Sequence, residues 1–291
     1  MLWGTAGGIY FEGLGPSLIA QSRPTEYDRE NKAVHLEETS LDTIAVVVAG
    51  VTGRTGEAVA RAIHQTSDLR LVGAIAKNHG GEHLGARWSD SGLDLAVTST
   101  IDALSAPPSD AVLVDFTEAE SAFGRLEWAI QRKWDVVVGT TGFSQEQSQY
   151  LADLVERHQV GAAFIANFSI GAWFLERVAI EASQYFGQAE IVEEHHAAKR
   201  DRPSGTARRM QELLAQSWKR NLDDIPVHSI RLPGLVAHQT VIFGSDGQSL
   251  SFRHDVHDRS AYAQGVVQAV RKVHSLKGRV INDLGEILND H

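Results

Sequence analysis

The segment with the strongest chemical character lies between residues 193 and 207. It contains two adjacent histidines, His195 and His196, a lysine three residues later, Lys199, and two arginines, Arg200 and Arg202. In a chain whose formal net charge is −10, these side chains form a local positive site. Because lysine and histidine can supply a proton as well as charge, the cluster is a candidate acid–base site.

The next four residues, Pro203-Ser204-Gly205-Thr206, predict the start of a helix. Proline suits the first positions of a helix, and Ser204 or Thr206 is placed to cap its N-terminus. The exposed N–H groups at such a helix end favour a carboxylate or phosphate. We therefore predict an anion-binding cradle directly after the positive cluster.

Three other interpretations of the cluster stay open at this point. The histidines could ligate a metal, although the chain has no cysteine and adjacent residues on a strand point to opposite faces. They could be ordinary surface histidines, and the basic residues could form a solvated loop. We predict no metal site.

Three glycines, Gly50, Gly53 and Gly56, follow the apolar run Thr43–Ala49 and precede a helical pattern. Glycine lets backbone N–H groups approach a pyrophosphate, and the helix N-terminus then faces the negative charge. The alternative is a glycine-rich turn without a ligand. The strand–turn–helix context favours a dinucleotide site.

About 20 residues beyond this turn, NAD-preferring sites place an acid on the ribose. This chain has Ala76-Lys77-Asn78 there, without a carboxylate. Lys77 could meet a 2′-phosphate, so the sequence favours NADPH over NADH. The alternative is that Lys77 is a solvated surface lysine.

The predicted strands and helices alternate in the first half of the chain, which predicts a parallel, doubly wound sheet. Predicted strands are Thr43–Ala49, Leu71–Ile75, Ala111–Val114, Asp135–Val138 and Val160–Ala166, and predicted helices are Glu118–Gln131 and Gln145–His158. Asp115-Phe116-Thr117 and Gly139-Thr140-Thr141-Gly142 end two of these strands. Ligands of open α/β sheets bind at that edge.

The pattern changes after Asn167, which predicts a second domain of different construction. Predicted elements are the helix Gly171–Phe186, the strand Glu190–Glu194, the helix Thr206–Trp218, the strands Val227–Leu232, Val236–Phe243 and Ser249–His254, and a final helix Ala261–His274. The alternation of the last three strands indicates antiparallel pairing. We expect the final helix to pack back on the first domain.

The length of 291 residues accommodates two domains. We predict a leader over residues 1–43, a dinucleotide-binding domain over 44–166 completed by 259–291, and a substrate-binding and oligomerisation domain over 167–258. The acidic charge argues against nucleic-acid and membrane-surface partners, and no apolar run reaches the roughly 18 residues of a membrane span. A chain without cysteine fits a cytoplasmic protein.

From about Ile44 onward the chain resembles the 4-hydroxy-tetrahydrodipicolinate (dihydrodipicolinate) reductases of diaminopimelate and lysine biosynthesis. The matching segments are Gly50–Gly56, Asp115–Thr117, Gly139–Gly142, Ala166–Gly171, Glu193–Ala207, Arg231–Gly234 and His254–Gly265. The resemblance implies a Rossmann-like domain plus a mostly antiparallel α+β domain, NADPH or NADH as cofactor, a small dicarboxylate substrate and a homotetramer assembled through the second sheet.

The same resemblance implies roles for individual residues. His195 would be the acid–base group and Lys199 the proton donor, while His196, Ser204, Gly205 and Thr206 would hold the substrate carboxylates. The implied cofactor-binding residues are Gly50, Val51, Thr52, Gly53, Arg54, Thr55, Gly139, Thr140, Thr141, Ile165, Ala166, Asn167 and Phe168.

The chain departs from the family pattern at Lys77, where an acid is common, at Arg202, where alanine is expected, and at His238-Gln239, which replaces a Glu-His pair. Two other functions stay open: a related NAD(P)-dependent amino-acid dehydrogenase, and a non-catalytic dinucleotide sensor. The Pro-Ser-Gly-Thr cradle beside His-His-x-x-Lys argues against the first, and the presence of both His195 and Lys199 argues against the second.

Overall fold

Strands and helices alternate through most of the described chain; the computed structural model describes residues 43–90, 92–105 and 109–289. The strands are β1 (Ile44–Ala49), β2 (Leu69–Ile75), β3 (Val97–Thr98), β4 (Val112–Asp115), β5 (Asp135–Val138), β6 (Ala162–Phe164), β7 (Gln188–His195), β8 (Val227–Arg231), β9 (Ala237–Ser245), β10 (Gln248–Val256) and β11 (Val280–Ile281). The α-helices are α1 (Arg54–Gln65), α2 (Leu84–Trp88), α3 (Ala119–Gln131), α4 (Gln145–His158), α5 (Ile170–Ser183), α6 (Gly205–Trp218), α7 (Ala263–Val273) and α8 (Leu284–Leu288). The predicted leader lies outside the described residues except for Thr43.

The first sheet has seven strands in the order β11-β6-β5-β4-β1-β2-β3. All of its pairings are parallel. Helices α1 and α7 cover one face and α3 and α4 the other, so alternate residues of β1, such as Val46 and Val47, enter two different cores. Burial on both faces is the physical reason for the continuous apolar strands, and the predicted doubly wound parallel sheet is confirmed.

The topological switch point of this sheet lies between β1 and β4. From β1 the chain builds outward through β2 and β3, and it then crosses to the other side of β1 to place β4, β5 and β6. Connections therefore leave the carboxyl ends of β1 and β4 in opposite directions, and a crevice opens between them. The glycine turn and Asp115-Phe116-Thr117 both lie at this crevice.

The second sheet has four strands in the order β10-β9-β7-β8. The β10–β9 and β9–β7 pairs are antiparallel, whereas β8 runs parallel to β7. The prediction that Val227–Leu232 pairs in antiparallel fashion is therefore wrong for this strand. Helix α6 connects β7 to β8, and a helical crossover returns the chain to the end at which the previous strand began.

Helices α5 and α6 cover one face of the second sheet and form a third core with it. The opposite face has no helix from the described residues packed against it, and Ile242 on that face is 38% exposed. One face of this sheet is therefore a surface of the protein.

The end of the described chain returns to the first sheet. The predicted helix over 261–274 is present as α7, preceded by a 3₁₀ turn at Arg259–Tyr262, and Val266 and Val270 of α7 are buried in the core that α1 shares. Strand β11 extends the first sheet alongside β6. The short elements α2, β3, β11 and α8 were not predicted, because two to five residues are too few for a periodic pattern.

No described helix combines the length and apolar character required to cross a membrane.

Candidate functional site

A cleft of about 950 Å³ lies between the carboxyl edge of the first sheet and the second domain. Its first wall is formed by loops that follow strands of the first sheet, and its second wall by the segment that follows β7. Predicted site residues in the first wall are Thr55, Gly139, Thr141, Ile165, Ala166, Asn167 and Phe168. Predicted site residues in the second wall are His195, His196, Lys199, Ser204, Gly205 and Thr206. The fold therefore brings together two groups of residues that are far apart in sequence.

Seven predicted cofactor residues do not line this cleft. They are Gly50, Val51, Thr52, Gly53, Arg54, Lys77 and Thr140. Val51 is fully buried in the core, so its side chain is not available to a ligand. Lys77 is exposed beyond the end of β2 and has no ion-pair partner among the described residues.

The glycine turn at the end of β1 is tightly packed. A Cβ at Gly50 would lie 2.4 Å from the carbonyl oxygen of Phe116, and its φ of +89° favours glycine. A Cβ at Gly56 would lie 2.1 Å from the carbonyl oxygen of Gly50. These two glycines are therefore required by the approach of the turn to β4 and α1.

Gly53 has a different role, because it is exposed and is the N-cap of α1. No side chain caps the first N–H groups of this helix. An uncapped helix N-terminus at the switch point suits a pyrophosphate, since both the N–H groups and the helix dipole favour negative charge. The turn thus fits a dinucleotide, and Thr55 extends the same surface into the cleft.

The floor of the first wall is an aromatic surface beside a glycine. The Phe116 ring packs on Gly139 so closely that a Cβ there would lie 2.2 Å from Phe116 Cε1. Phe116 also contacts Phe168, with ring centroids 5.7 Å apart. This apolar floor, bordered by Thr141 and Asn167, can support the flat face of a ring.

A buried ion pair lies behind that floor. Asp115 is fully buried, and its Oδ2 accepts a hydrogen bond of 2.7 Å from Nε of Arg125. Its Oδ1 accepts from the Thr117 backbone N–H and hydroxyl and from the Thr140 hydroxyl. One carboxylate thereby joins the loop after β4 to the loop after β5.

His195 is the last residue of β7 and is buried at the edge of the second wall. Its Nδ1 lies 2.5 Å from Oε2 of Glu193, which leaves Nε2 as the ring nitrogen available to the cleft. Burial lowers the pKa of His195, and the nearby charges of Lys199 and Arg231 act in the same direction against the opposing pull of Glu193. The imidazole is therefore neutral at pH 7.

Lys199 and His196 lie on the loop that follows. The backbone N–H of Lys199 donates to the carbonyl of His196, which folds this loop into a turn. Lys199 Nζ lies 2.9 Å from Oδ1 of Asp201, and both residues line the cleft. Of the predicted positive cluster, Lys199 lines the cleft with Asp201 beside it, whereas Arg200 and Arg202 do not line it.

The predicted cradle is the N-terminus of α6. Ser204 is its N-cap, and its hydroxyl accepts from the N–H of Ala207 at 3.2 Å. The N–H groups of Gly205 and Thr206 have no acceptor within the described part of the chain. A Cβ at Gly205 would meet nothing within 4 Å, so this side of the helix end is open. The arrangement suits a carboxylate.

Two residues behind this wall, both with buried side chains, were not predicted as site residues. Glu193 is fully buried, and Arg231 forms a bidentate pair with it through bonds of 2.9 and 2.7 Å. Glu193 lies two residues before His195 and therefore on the same face of the strand, a signal available in the sequence. Arg231 arrives from β8; its segment, Arg231–Gly234, resembles the family pattern, but no local pattern indicates its pairing with Glu193.

Further residues complete the cleft without having been predicted. They include Phe116, Trp173, Glu176, Arg209, His238, Gln239, His254, Arg259, Tyr262 and Asp283. Among the residues that the structure describes, no three histidine, aspartate or glutamate side chains are grouped so as to hold a metal ion.

Comparison with known proteins gives a consistent result. The family model described as "Dihydrodipicolinate reductase, N-terminus" matches residues 44–168, and the model "Dihydrodipicolinate reductase, C-terminus" matches residues 171–288. A protein of Thermosynechococcus vestitus named 4-hydroxy-tetrahydrodipicolinate reductase is 38% identical over 277 residues, covering 87% of this chain and all of the relative. One of the same name from Cyanothece sp. is 40% identical over 275 residues, covering 86% of this chain and all of the relative.

A solved structure agrees in fold. It is described as dipicolinate-bound dihydrodipicolinate reductase from Paenisporosarcina sp. TG-14 and is 29% identical, with a TM-score of 0.71. The similarity covers 84% of this chain and 99% of that one.

Proposed function

The chain belongs to the dihydrodipicolinate reductase family, and we propose that it reduces 4-hydroxy-tetrahydrodipicolinate to tetrahydrodipicolinate with NAD(P)H in diaminopimelate and lysine biosynthesis. The observation that supports this function best is the cleft itself. Its lining combines Thr55 of α1 and the aromatic floor with His195, Lys199 and the open N-terminus of α6, and the uncapped helix N-terminus at Gly53 lies two residues before Thr55. A dinucleotide wall and a carboxylate-binding wall thus face one another, as reduction of a dicarboxylate requires.

When bound, the reduced nicotinamide supplies the hydride. The residues that would hold the cofactor are those of the glycine turn, Gly50 to Thr55, together with Gly139 to Thr141 and Ile165 to Phe168. The turn and the start of α1 offer N–H groups to the pyrophosphate. The floor formed by Phe116 and Gly139 excludes water from one face of the ring-binding region.

The substrate carboxylates bind at the second wall in this proposal. The N–H groups of Gly205 and Thr206 receive one carboxylate, with the Ser204 and Thr206 hydroxyls and His196 beside it. The relative from Paenisporosarcina is described as dipicolinate-bound, which supports a small dicarboxylate as ligand. Anchoring the ring at its carboxylates presents an unsaturated carbon to the first wall.

In this proposal, His195 and Lys199 transfer the proton that the reaction requires. Loss of the 4-hydroxyl group as water first leaves an unsaturated ring carbon. Hydride then arrives at one ring carbon and a proton at the adjacent carbon, so negative charge accumulates on the substrate between these two events. The Lys199 ammonium stabilises that charge and donates the proton. His195, neutral at pH 7 because burial lowers its pKa, presents Nε2 to exchange the proton within the cleft.

The coenzyme preference is a finer proposal, and we favour NADPH. Lys77 follows β2, which contacts the glycine turn through a bond of 2.8 Å from Gly50 N–H to the Ile75 carbonyl. No carboxylate occupies Ala76-Lys77-Asn78 to receive a ribose hydroxyl. Lys77→Glu should raise the KM for NADPH about 10-fold and that for NADH much less, since a carboxylate repels a 2′-phosphate. If Lys77→Glu changed the KM for NADPH and the KM for NADH equally, Lys77 would have no role in coenzyme preference.

We also propose the domain roles and assembly. Residues 44–166 with 259–291 bind the dinucleotide, and 167–258 bind substrate and form the contacts of a homotetramer in the cytoplasm. The uncovered face of the second sheet, with the exposed Ile242, supports assembly through that sheet. Light scattering of purified protein at several concentrations tests it, and a monomer would contradict it.

The function is tested by following oxidation of NADPH and of NADH in the presence of the product of the preceding synthase. Oxidation that depends on that product supports the proposal. A parallel reaction contains oxidised coenzyme and amino acids, to detect a dehydrogenase. Absence of oxidation with both coenzymes, in protein that binds them, would contradict the proposal and favour a dinucleotide sensor.

A further inference from the structure

Glu193 is a charged residue in a place where charge is costly. It lies in β7, on the face of the second sheet that α5 and α6 cover, and it is fully buried. It does not line the cleft. A carboxylate in such a position requires partners for both oxygens, and the identity of those partners indicates what it does.

Both oxygens of Glu193 are fully engaged. Oε1 accepts 2.7 Å from Nη2 of Arg231 and 3.3 Å from the backbone N–H of Ser204. Oε2 accepts 2.9 Å from Nη1 of Arg231 and lies 2.5 Å from Nδ1 of His195. Arg231 thus neutralises the charge, while the bonds from Ser204 and His195 connect Glu193 to the two parts of the second wall.

The bond to His195 selects a tautomer. A carboxylate accepts hydrogen bonds and does not donate them, so Nδ1 of His195 must hold the proton and Nε2 must present its lone pair to the cleft. Burial alone would raise the pKa of Glu193, but the hydrogen bonds from Arg231, Ser229 and His195 outweigh it and keep that pKa below its usual range. Glu193 therefore stays an acceptor near neutral pH.

The bond to Ser204 holds the anion cradle. Ser204 is the N-cap of α6 and is 1% exposed, and the two open N–H groups belong to the next two residues. Arg231 strengthens this attachment, because its Nη2 also donates to the carbonyl of Asp201 at 2.7 Å. The loop bearing Lys199 and the start of α6 are consequently tied to the same carboxylate as the imidazole.

We propose that Glu193 is a positioning residue for the reaction: it sets the His195 tautomer and, through Ser204, the distance between that imidazole and the carboxylate cradle. This inference rests on the proposed function for the meaning of the two sites. It goes beyond that function by placing both sites under the control of one buried group that touches neither substrate nor cofactor. An ion pair that only stabilised the fold would leave the tautomer and the cradle unchanged when replaced by a neutral isostere.

The test compares Glu193→Gln with Glu190→Gln. Glu190 lies on the same strand and also accepts from a histidine, His228, at 2.7 Å, but on the exposed side of the sheet. The histidine ring nitrogens are observed by NMR in uniformly ¹⁵N-labelled protein, with the His195 signals assigned from His195→Gln. Binding of pyridine-2,6-dicarboxylate and of NADPH is measured by calorimetry.

In the unmodified protein we expect the neutral His195 ring to hold its proton on Nδ1. Glu193→Gln should populate the Nε2–H form, weaken binding of the dicarboxylate about 10-fold, lower kcat at least about 10-fold and leave NADPH affinity unchanged. Glu190→Gln should leave the His195 tautomer and both binding affinities unchanged. Dicarboxylate affinity and a His195 spectrum equal to those of Glu190→Gln would overturn the proposal.

A second variant covers the case in which Glu193→Gln does not fold. Arg231→Lys keeps a positive charge beside Glu193 but loses the bidentate geometry and the bond to Asp201. We expect it to retain the Nδ1–H tautomer and to bind the dicarboxylate several-fold more weakly. Unchanged dicarboxylate binding would show that the cradle does not depend on this cluster. If the unmodified enzyme were inactive in the reductase assay, the tautomer and binding measurements would still decide the role of Glu193.

Discussion

The two walls of the cleft differ in the groups, and therefore in the physical interactions, that they offer to a ligand. The first wall presents backbone N–H groups, glycines and an apolar floor, and its buried ion pair, Asp115 with Arg125, lies behind the surface. The second wall presents polar groups to the cleft: the charge of Lys199, the neutral imidazole of His195 and the start of α6 all line it. Shape governs the first wall and electrostatics the second, so substitutions in the two walls should separate coenzyme binding from turnover.

A second contrast lies between two acids of the second domain, the buried Glu193 and the half-buried Glu176 of α5. Arg231 binds both oxygens of Glu193 and keeps its pKa low. Glu176 has its nearest cation, Arg209, at 3.9 Å, and burial raises its pKa to about 7. Close bidentate pairing therefore keeps Glu193 ionised at neutral pH, whereas Glu176, whose nearest cation is more distant, has its pKa near 7.

The largest effect is expected for Lys199→Ala. Loss of a proton donor typically lowers kcat by ~10²–10⁴-fold, while NADPH affinity should stay the same because the first wall is untouched. Lys199→Arg keeps the charge but donates a proton poorly, so it should recover substrate affinity and not kcat. Steady-state kinetics and NADPH titration measure both. Near-normal turnover of Lys199→Ala at saturating substrate would contradict the role of the second wall in turnover.

Gly205→Val tests whether the cradle binds substrate or coenzyme. The open space at Gly205 lets the variant fold, but the side chain blocks approach of an anion to the helix N-terminus. Because the variant loses a charge-assisted hydrogen bond to the substrate, its KM for substrate should rise about 10–100-fold, while NADPH binding should stay nearly intact. Gly244→Val, at another open position outside the cleft, is the control. Loss of NADPH binding together with retained dicarboxylate binding would assign the cradle to the coenzyme.

Asp115→Asn tests the first wall through the buried ion pair that lies behind its floor. It leaves Arg125 buried without its charged partner and disturbs the bonds to Thr117 and Thr140, so the floor should shift. We expect NADPH affinity to fall about 10-fold, with little change in dicarboxylate binding. Asp135→Asn is the control. Asp135 is also buried, but it is the first residue of β5 and lies at the end of that strand away from Thr140. Equal loss of both ligands would mean that the walls are not independent.

The smallest effect concerns stability and Glu176. Because its folded pKa is raised to about 7, its contribution to stability is present below its usual pKa and is lost as pH rises through about 7. Glu176→Gln stays neutral, so it should unfold at a higher temperature than the parent at pH 8 and at nearly the same temperature at pH 4. The difference is at most about 3 kcal/mol. Thermal melts at both pH values measure it, and a variant less stable at pH 8 would contradict the assignment.

The sequence alone determined the features that depend on local patterns. Continuous apolar runs predicted the buried parallel strands, glycine spacing predicted the turn at the end of β1, and Ser204 was correctly expected near the cap of α6. These features follow from backbone geometry within a few residues. The His195–Lys199 cluster was visible for the same reason.

Only the tertiary structure decided which distant groups meet. Arg231 is 38 residues from Glu193 in sequence, and the parallel pairing of β8 with β7 brings them together. The raised pKa of Glu176 depends on burial and on the distance to Arg209, and neither is encoded in a local pattern. Propensity and periodicity act over a few residues, whereas desolvation and charge pairing depend on chain segments that only folding makes neighbours.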